Sequence, residues 1–320
     1  MSSAFRDKIV VPGPVICYEV IPPAQDAKSS MLSAYVECTA ELVDSTSLSI
    51  DALNLPEIRA ERREAQRTHP HEPKTDQRQF ALQFKRALHN TVDVVVNRCT
   101  VYDAWSAQQS WLDETKDRFN IENVILVGGE TSTIRYPGPA VTDMARSIHY
   151  VYGTAFFCGG ITIPTRRSAD PNKDEAHRLA EKSRHGLNFF TSQVLYEAQS
   201  VQRLLLDYDR LCRQLELKPK RIFLSFAPLS SHKDLEFLRW LGVEVPRDVE
   251  NTLMKANIGI GWRSLKVVRQ ILLDILAFVK AEGIDVPLGL NVEHITRHNF
   301  ELSKEFIEQL GKPYHDFHAS

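Results

Sequence analysis

The chain has 320 residues, 43% of them hydrophobic and 25% charged, with a formal net charge of −2. That is enough for a sizeable core, in one large α/β barrel or two ordinary domains, and it offers no basic field for nucleic acid or an anionic membrane. The five cysteines lie far apart without a CxxC pair, which argues against a zinc site or a disulfide framework and for free thiols in a reducing compartment.

The N-terminus, MSSAFRDKIV, lacks an apolar signal region, and no run approaches about 18 apolar residues. A soluble, cytoplasmic protein is expected. The first strand, Val15–Ile21, carries one carboxylate, Glu19, and runs into Pro22-Pro23. A helical pattern over Asp26–Val43 follows, and then a strand over Ser47–Leu53. Pro56–Gln79 is the one segment of low hydrophobicity and reads as a loop insertion, either a lid over a site or a solvated excursion. Helix and strand then alternate: Asp76–His89, Val92–Val101, Ala104–Phe119, Asn123–Val127, Pro139–Tyr150, Ala155–Ile163, Lys173–Arg184, Leu187–Leu195, Glu197–Leu215, Arg221–Phe226 and Lys233–Leu241. Leu265, Val268, Ile271, Leu272, Ile275, Leu276 and Val279 form one apolar helical stripe that ends at Gly283, before a last strand at Pro287–Val292. A helical extension is expected at about 297–311.

Most of the strands are short, continuous apolar runs, such as DVVVN and RIFLSF. Strands buried on both faces in a parallel sheet read this way. Strand then helix, about eight times over, predicts a single-domain (β/α)8 TIM barrel, with a doubly wound open sheet as the runner-up.

In such a barrel, chemistry sits where strands end. The polar residues expected there are Glu19, Asp51 with Asn54, Glu130, Gln193, and Asn291 with Glu293. The set is rich in carboxylates and amides and holds no metal-ligand cluster and no Ser-His-Asp or Cys-His arrangement. Carboxylates around a pocket suit general-acid chemistry, stabilisation of a cation, and recognition of a heterocycle with two parallel N–H donors. Plainer roles exist for each. Glu19 would pair with Arg98, Glu130 would bond backbone at a helix start, Gln193 would be a satisfied interior amide, and Arg166-Arg167 would be surface charge. NIGIGWRS lacks the third glycine of a dinucleotide fingerprint, and HITRH lacks the glutamate of a zinc-protease helix.

CYEVIPP resembles the first-strand motif of methylenetetrahydrofolate reductases, where an aromatic residue and a glutamate precede two prolines. NVILVGGE resembles their fourth strand, GLNFFTSQVLYEAQSVQRLL their sixth strand and helix, and RIFLSFAPLSSHKDLEFLRWLGVEVPRDV their seventh unit. The resemblance runs over roughly residues 15–256, in the correct order. It implies a (β/α)8 barrel that reduces 5,10-methylenetetrahydrofolate to the 5-methyl form. By the same resemblance Glu19 would be the general acid that opens the imidazolidine ring to a 5-iminium cation. Glu130 would stand where the family has Asp, against the pterin and the growing positive charge, and Gln193 would hydrogen-bond the pterin. Asp51, Asn291 and Glu293 are further candidate substrate contacts.

The departures are specific. VVNRC lacks the third-strand His, Gly128-Gly129-Glu130 replaces Arg-Gly-Asp, and ITIPTRR replaces a Pro-Glu-Gly-His-Pro type segment. These are flavin-contacting regions in the family, so FAD is the lesser expectation. IPTR looks more like the flavin-independent members, in which NAD(P)H passes hydride directly, and Thr165, Arg166 and Arg167 are the candidate cofactor contacts. Two other classes stay open: a pterin- or folate-dependent methyltransferase, and a non-catalytic folate-binding subunit. A homo-oligomer is compatible with everything above.

Overall fold

The computed structural model describes residues 4–61, 63, 67–130, 134–170, 173–256, 258–294 and 300–319. Its centre is a closed barrel of eight parallel strands in chain order: β1 (Ile16–Glu19), β2 (Ala52–Leu55), β3 (Asp93–Cys99), β4 (Asn123–Val127), β5 (Phe157–Thr162), β6 (Phe189–Ser192), β7 (Arg221–Phe226) and β8 (Leu288–Val292). The helices are α1 (Ala4–Ile9), α2 (Ser29–Ser45), α3 (Gln77–Ala87), α4 (Trp105–Asp117), α5 (Val141–Tyr152), α6 (Glu175–Arg184), α7 (Gln199–Gln214), α8 (His232–Trp240), α9 (Arg247–Leu253), α10 (Ile260–Glu282) and α11 (Phe300–Ala319). The expected TIM barrel is therefore the observed fold. No helix among the described residues is long and apolar enough to cross a membrane.

The sequence pattern misses α1 and α9, which at 6 and 7 residues span less than two turns. It also starts the second strand too early. Asp51 precedes β2, and its backbone N–H donates to the carbonyl of Ile16. Of the five cysteines, Cys17, Cys99, Cys158 and Cys212 are buried thiols and Cys38 is exposed.

Alternation along the strands sends every second side chain inward. The lower interior is filled by Val15, Cys17, Ala52, Val95, Ile125, Phe157, Phe189 and Phe223, and closed from below by Phe5 and Ile9 of α1. The Phe5 ring sits edge-on to Phe189, with centroids 5.8 Å apart, and stacks near Phe223 at 6.1 Å. Arg221 fixes this plug. Buried and without a carboxylate within salt-bridge distance among the described residues, it donates to the carbonyls of Ile9 at 3.2 Å and Gly13 at 2.9 Å, and also to those of Val11 and Leu288.

Two glycines make room for the rings. A Cβ on Gly159 would lie 2.4 Å from the Phe189 ring, and one on Gly289 would lie 2.4 Å from the Phe223 ring. The floor is thus packed to the density of an ordinary core, which does not stretch to admit an extra methyl. Gly289→Ala should cost about 1–3 kcal/mol of stability, read as a lower urea midpoint at unchanged slope. An unchanged midpoint would mean the Phe223 ring is free to move aside.

Candidate active site

Above the apolar floor the interior turns polar. Glu19 is two residues beyond inward-facing Cys17, so it points into the barrel at the end of β1. The strand register sets Cys17 beside Asn291 and Glu19 beside Asn54. One pleat further along β8, Glu293 comes beside Glu19. The two acids therefore share the barrel mouth from adjacent strand ends, and each is held by an asparagine. Asn54 Nδ2 donates to Glu19 Oε2 at 2.8 Å, and Asn291 Nδ2 donates to Glu293 Oε1 at 2.9 Å and lies 3.0 Å from Ser225 Oγ.

Burial pushes the Glu19 carboxyl well above the usual carboxylate range. The neighbouring Glu293 charge pushes the same way, and the Asn54 bond opposes both. Burial raises Glu293 to about 7, against hydrogen bonds from Ser225 and Asn291. The two titrate as a pair, and burial favours the protonated form of both. Glu19 makes no ion pair among the described residues. Arg98 instead binds Glu57 and Asp103 and lies over the Trp111 ring.

A neutral cluster stands behind the pair. His294 is buried, with Nδ1 3.2 Å from the Tyr18 hydroxyl and Nε2 3.0 Å from the Tyr35 hydroxyl. Burial lowers its pKa to about 4, so the ring carries no charge near the acids. Tyr18 and His294 are the chain neighbours of Glu19 and Glu293, so the cluster fixes the two strand ends.

The amide oxygens of Asn54, Asn97 and Asn291 are buried with no protein partner among the described residues. Asn97 follows inward-facing Val95 by two residues, so all three belong to the interior layer that carries the acids. Buried acceptors are rarely left unpaired. Three of them beside two acids form a site for a ligand that brings N–H donors.

The other expected residues separate. Glu130, at the end of β4, accepts from the Tyr102 hydroxyl and, at 2.8 Å, from the Tyr136 hydroxyl. Gly129 permits this, because a Cβ there would lie 2.4 Å from the Tyr136 ring. Gln193 follows β6 and donates to the carbonyl of Leu241 at 2.9 Å. Asp51 is a correction. It lies at the opposite, N-terminal end of the barrel, where it caps the Ile16 N–H at 2.8 Å and pairs with Lys8, so it cannot meet a ligand in the mouth. Buried Glu175 holds Arg166 Nη1 at 2.9 Å and ties it to the end of β5. Arg167 is exposed, 3.3 Å from Ser200 Oγ, and with Arg203 lines a cleft of about 410 Å³ beside the start of α7. Thr165 is half-buried in the same loop. Tyr102, Tyr136 and Asn97 were missed by sequence reasoning. Only the inward phase of β3 could have singled out Asn97.

No protein-family model matches the chain, and no curated protein matches it. Solved structures do. An uncharacterized protein from Clostridium thermocellum that binds two copies of 5-methyl-5,6,7,8-tetrahydrofolic acid is 20% identical, with a TM-score of 0.78 over 97% of this chain and 99% of that one. The spore cortex-lytic enzyme SleL of Bacillus cereus is 9% identical, with a TM-score of 0.50 over 94% of this chain and 75% of that one. At these identities the likeness establishes the barrel fold.

The raised acids give a pH signature. A carboxyl whose folded pKa lies above its unfolded value stabilises the fold fully below the unfolded value, and that contribution is lost as pH rises. For Glu293 the loss runs from its ordinary value of 4.5 to about 7. Glu293→Gln should therefore gain stability over the wild type, and more at pH 8 than at pH 5, in urea titrations at the two pH values. An equal difference at both would mean Glu293 is not raised.

Proposed function

We propose that the barrel mouth binds a reduced folate and that the protein reduces 5,10-methylenetetrahydrofolate to 5-methyltetrahydrofolate with hydride from NAD(P)H. The observation that carries this reading is the acid pair, Glu19 beside Glu293 at adjacent strand ends, in a layer of unpaired amide acceptors. The resemblance of CYEVIPP to the reductase motif and the folate bound by the Clostridium thermocellum neighbour support it.

A pterin presents an amino-pyrimidine edge with adjacent N–H donors, which suits the amide oxygens of Asn54, Asn97 and Asn291. Glu19, oriented by Asn54, gives its proton to N10 of the folate as the bond from N10 to the methylene carbon breaks. The positive charge then resides on N5 and that carbon, where Glu293 in its ionised form stabilises it. Glu130, fixed by two tyrosine hydroxyls, adds a second negative charge at the same mouth. Gln193 braces the rim through Leu241 and borders the pterin. A nicotinamide supplies the hydride that turns the iminium carbon into a methyl group. Arg167 and Arg203, in a cleft that Glu197 and Glu244 also line, would hold its phosphates, with Thr165 in the neighbouring loop. The reading draws on no flavin.

Glu19→Gln keeps the bond geometry and removes the acid. It should fold normally, bind 5-methyltetrahydrofolate as the wild type does, and lose about 10²–10⁴ in turnover, measured as NADH oxidation with methylenetetrahydrofolate. Turnover near wild type would overturn the assignment of Glu19.

A further inference from the structure

Among the described residues, the buried side-chain polar atoms without a hydrogen-bond partner are not scattered. Apart from His318 Nε2, they belong to two groups. One is the asparagine layer of the barrel. The other is Arg67 Nε, Thr68 Oγ1, His69 Nε2 and His71 Nδ1, all within the polar segment 56–79. A native fold pairs nearly every such atom, so two unpaired sets in one region need a common explanation.

The anchors of the segment supply it. At its start, Glu57 accepts from the Cys99 backbone N–H at 2.6 Å and from Arg98 at 3.0 Å, both on β3. In the middle, the Arg63 guanidinium lies 5.3 Å from the Trp240 ring centroid, and that of Arg67 lies 4.9 Å from Trp240 and 5.2 Å from Phe237. His69 meets Phe237 edge-on at 5.1 Å, with its Nε2 3.5 Å from Asp234. These rings belong to α8, which follows β7. At its end, the Thr75 N–H donates to the Pro23 carbonyl at 2.9 Å and Lys74 bridges Ala24, just past β1. In a closed barrel of eight, β3 and β7 stand diametrically opposite. The described residues of the segment therefore reach from β3 to α8, on the opposite side of the mouth, and back to the end of β1. They form a strap at the mouth of the barrel.

We propose that Arg67, Thr68 and His71 are ligand-contacting residues in the roof of the site, with Arg67 holding an oxyanion at the outer end of a ligand whose N–H-bearing head rests on the asparagines below. The asparagine layer offers acceptors, whereas Arg67 Nε above it is a donor that is always charged. Stacking on Phe237 and Trp240 holds the guanidinium plane without using its N–H groups. Burial and the charges of Arg67 and Lys74 keep His71 below its usual pKa, so it stays neutral near pH 7 and can take a hydrogen bond. The ligand class is a heterocyclic amine with a carboxylate-bearing tail. This rests on the folate reading and adds the direction in which the folate lies, head on the asparagine layer and glutamyl carboxylates under the strap.

Three probes separate the parts: 5-methyltetrahydrofolate, the head alone as 6-methyltetrahydropterin, and the tail alone as p-aminobenzoylglutamate. Binding of each to the full chain is measured by calorimetry. Arg67→Ala should weaken the whole ligand and the tail about tenfold or more, the range of a lost charge-assisted bond, and leave the head unchanged. Arg67→Lys should fall between, since it keeps charge and loses the planar fork. Asn97→Ala should do the converse, weakening head and whole but not tail. If Arg67→Ala changes nothing, or weakens head and tail alike, the roof assignment falls while the folate reading stands. If the wild type binds neither the whole ligand nor the head, the folate reading falls, and the ligand class proposed for the roof falls with it. Thermal unfolding of each variant, with the conservative Arg67→Lys as reference, separates lost contacts from a lost fold.

Discussion

Two carboxyl groups on adjacent strand ends, inside a barrel, cannot both ionise without a cation between them. Among the described residues no cation lies there, since Arg98 is occupied by Glu57 and Asp103. Burial favours the protonated form of both, and no cation among the described residues opposes it. Asparagines rather than lysines hold the acids, the ring behind them is a neutral histidine, and the apolar floor prevents hydration from below. A buried charge is costly and a buried acid much less so. What would be a defect in a structural core is, in the function proposed above, a proton source.

The barrel was legible because its strands are unusually plain. DVVVN, NVILV and RIFLSF have no polar face, and only a parallel sheet covered on both sides explains that. Glu19 stood out for the same reason, as a charge in an apolar strand before two prolines. Position along the barrel axis was harder to read. Asp51 and Asn54 are three residues apart in sequence, yet one caps the floor and the other binds Glu19 at the mouth, because β2 begins only at Ala52. Composition does not fix a strand start to that precision. Arg166 and Arg167 are neighbours with different duties, and only the placement of Glu175 on α6 tells them apart.

The partners of Glu130 were beyond sequence reasoning for another reason. Tyr102 follows β3 and Tyr136 lies in the loop after β4, so their meeting depends on two loop paths rather than on any periodic pattern. The strap is an intermediate case. Its polar composition marked it as an excursion, but whether it lay over the site depended on Phe237 and Trp240. Those residues read simply as the apolar side of a helix until Arg63 and Arg67 are found stacked on them.

The packed floor has a consequence for traffic. With Phe5, Phe189 and Phe223 filling the lower barrel and Arg221 fastening the plug, the chamber is a dead end. On the proposed reading, two reactants that meet there share one doorway under the strap, and whichever sits deeper arrives first and departs last. A barrel blind at one end would then behave as a stack rather than a thoroughfare, the outer molecule controlling the residence time of the inner one.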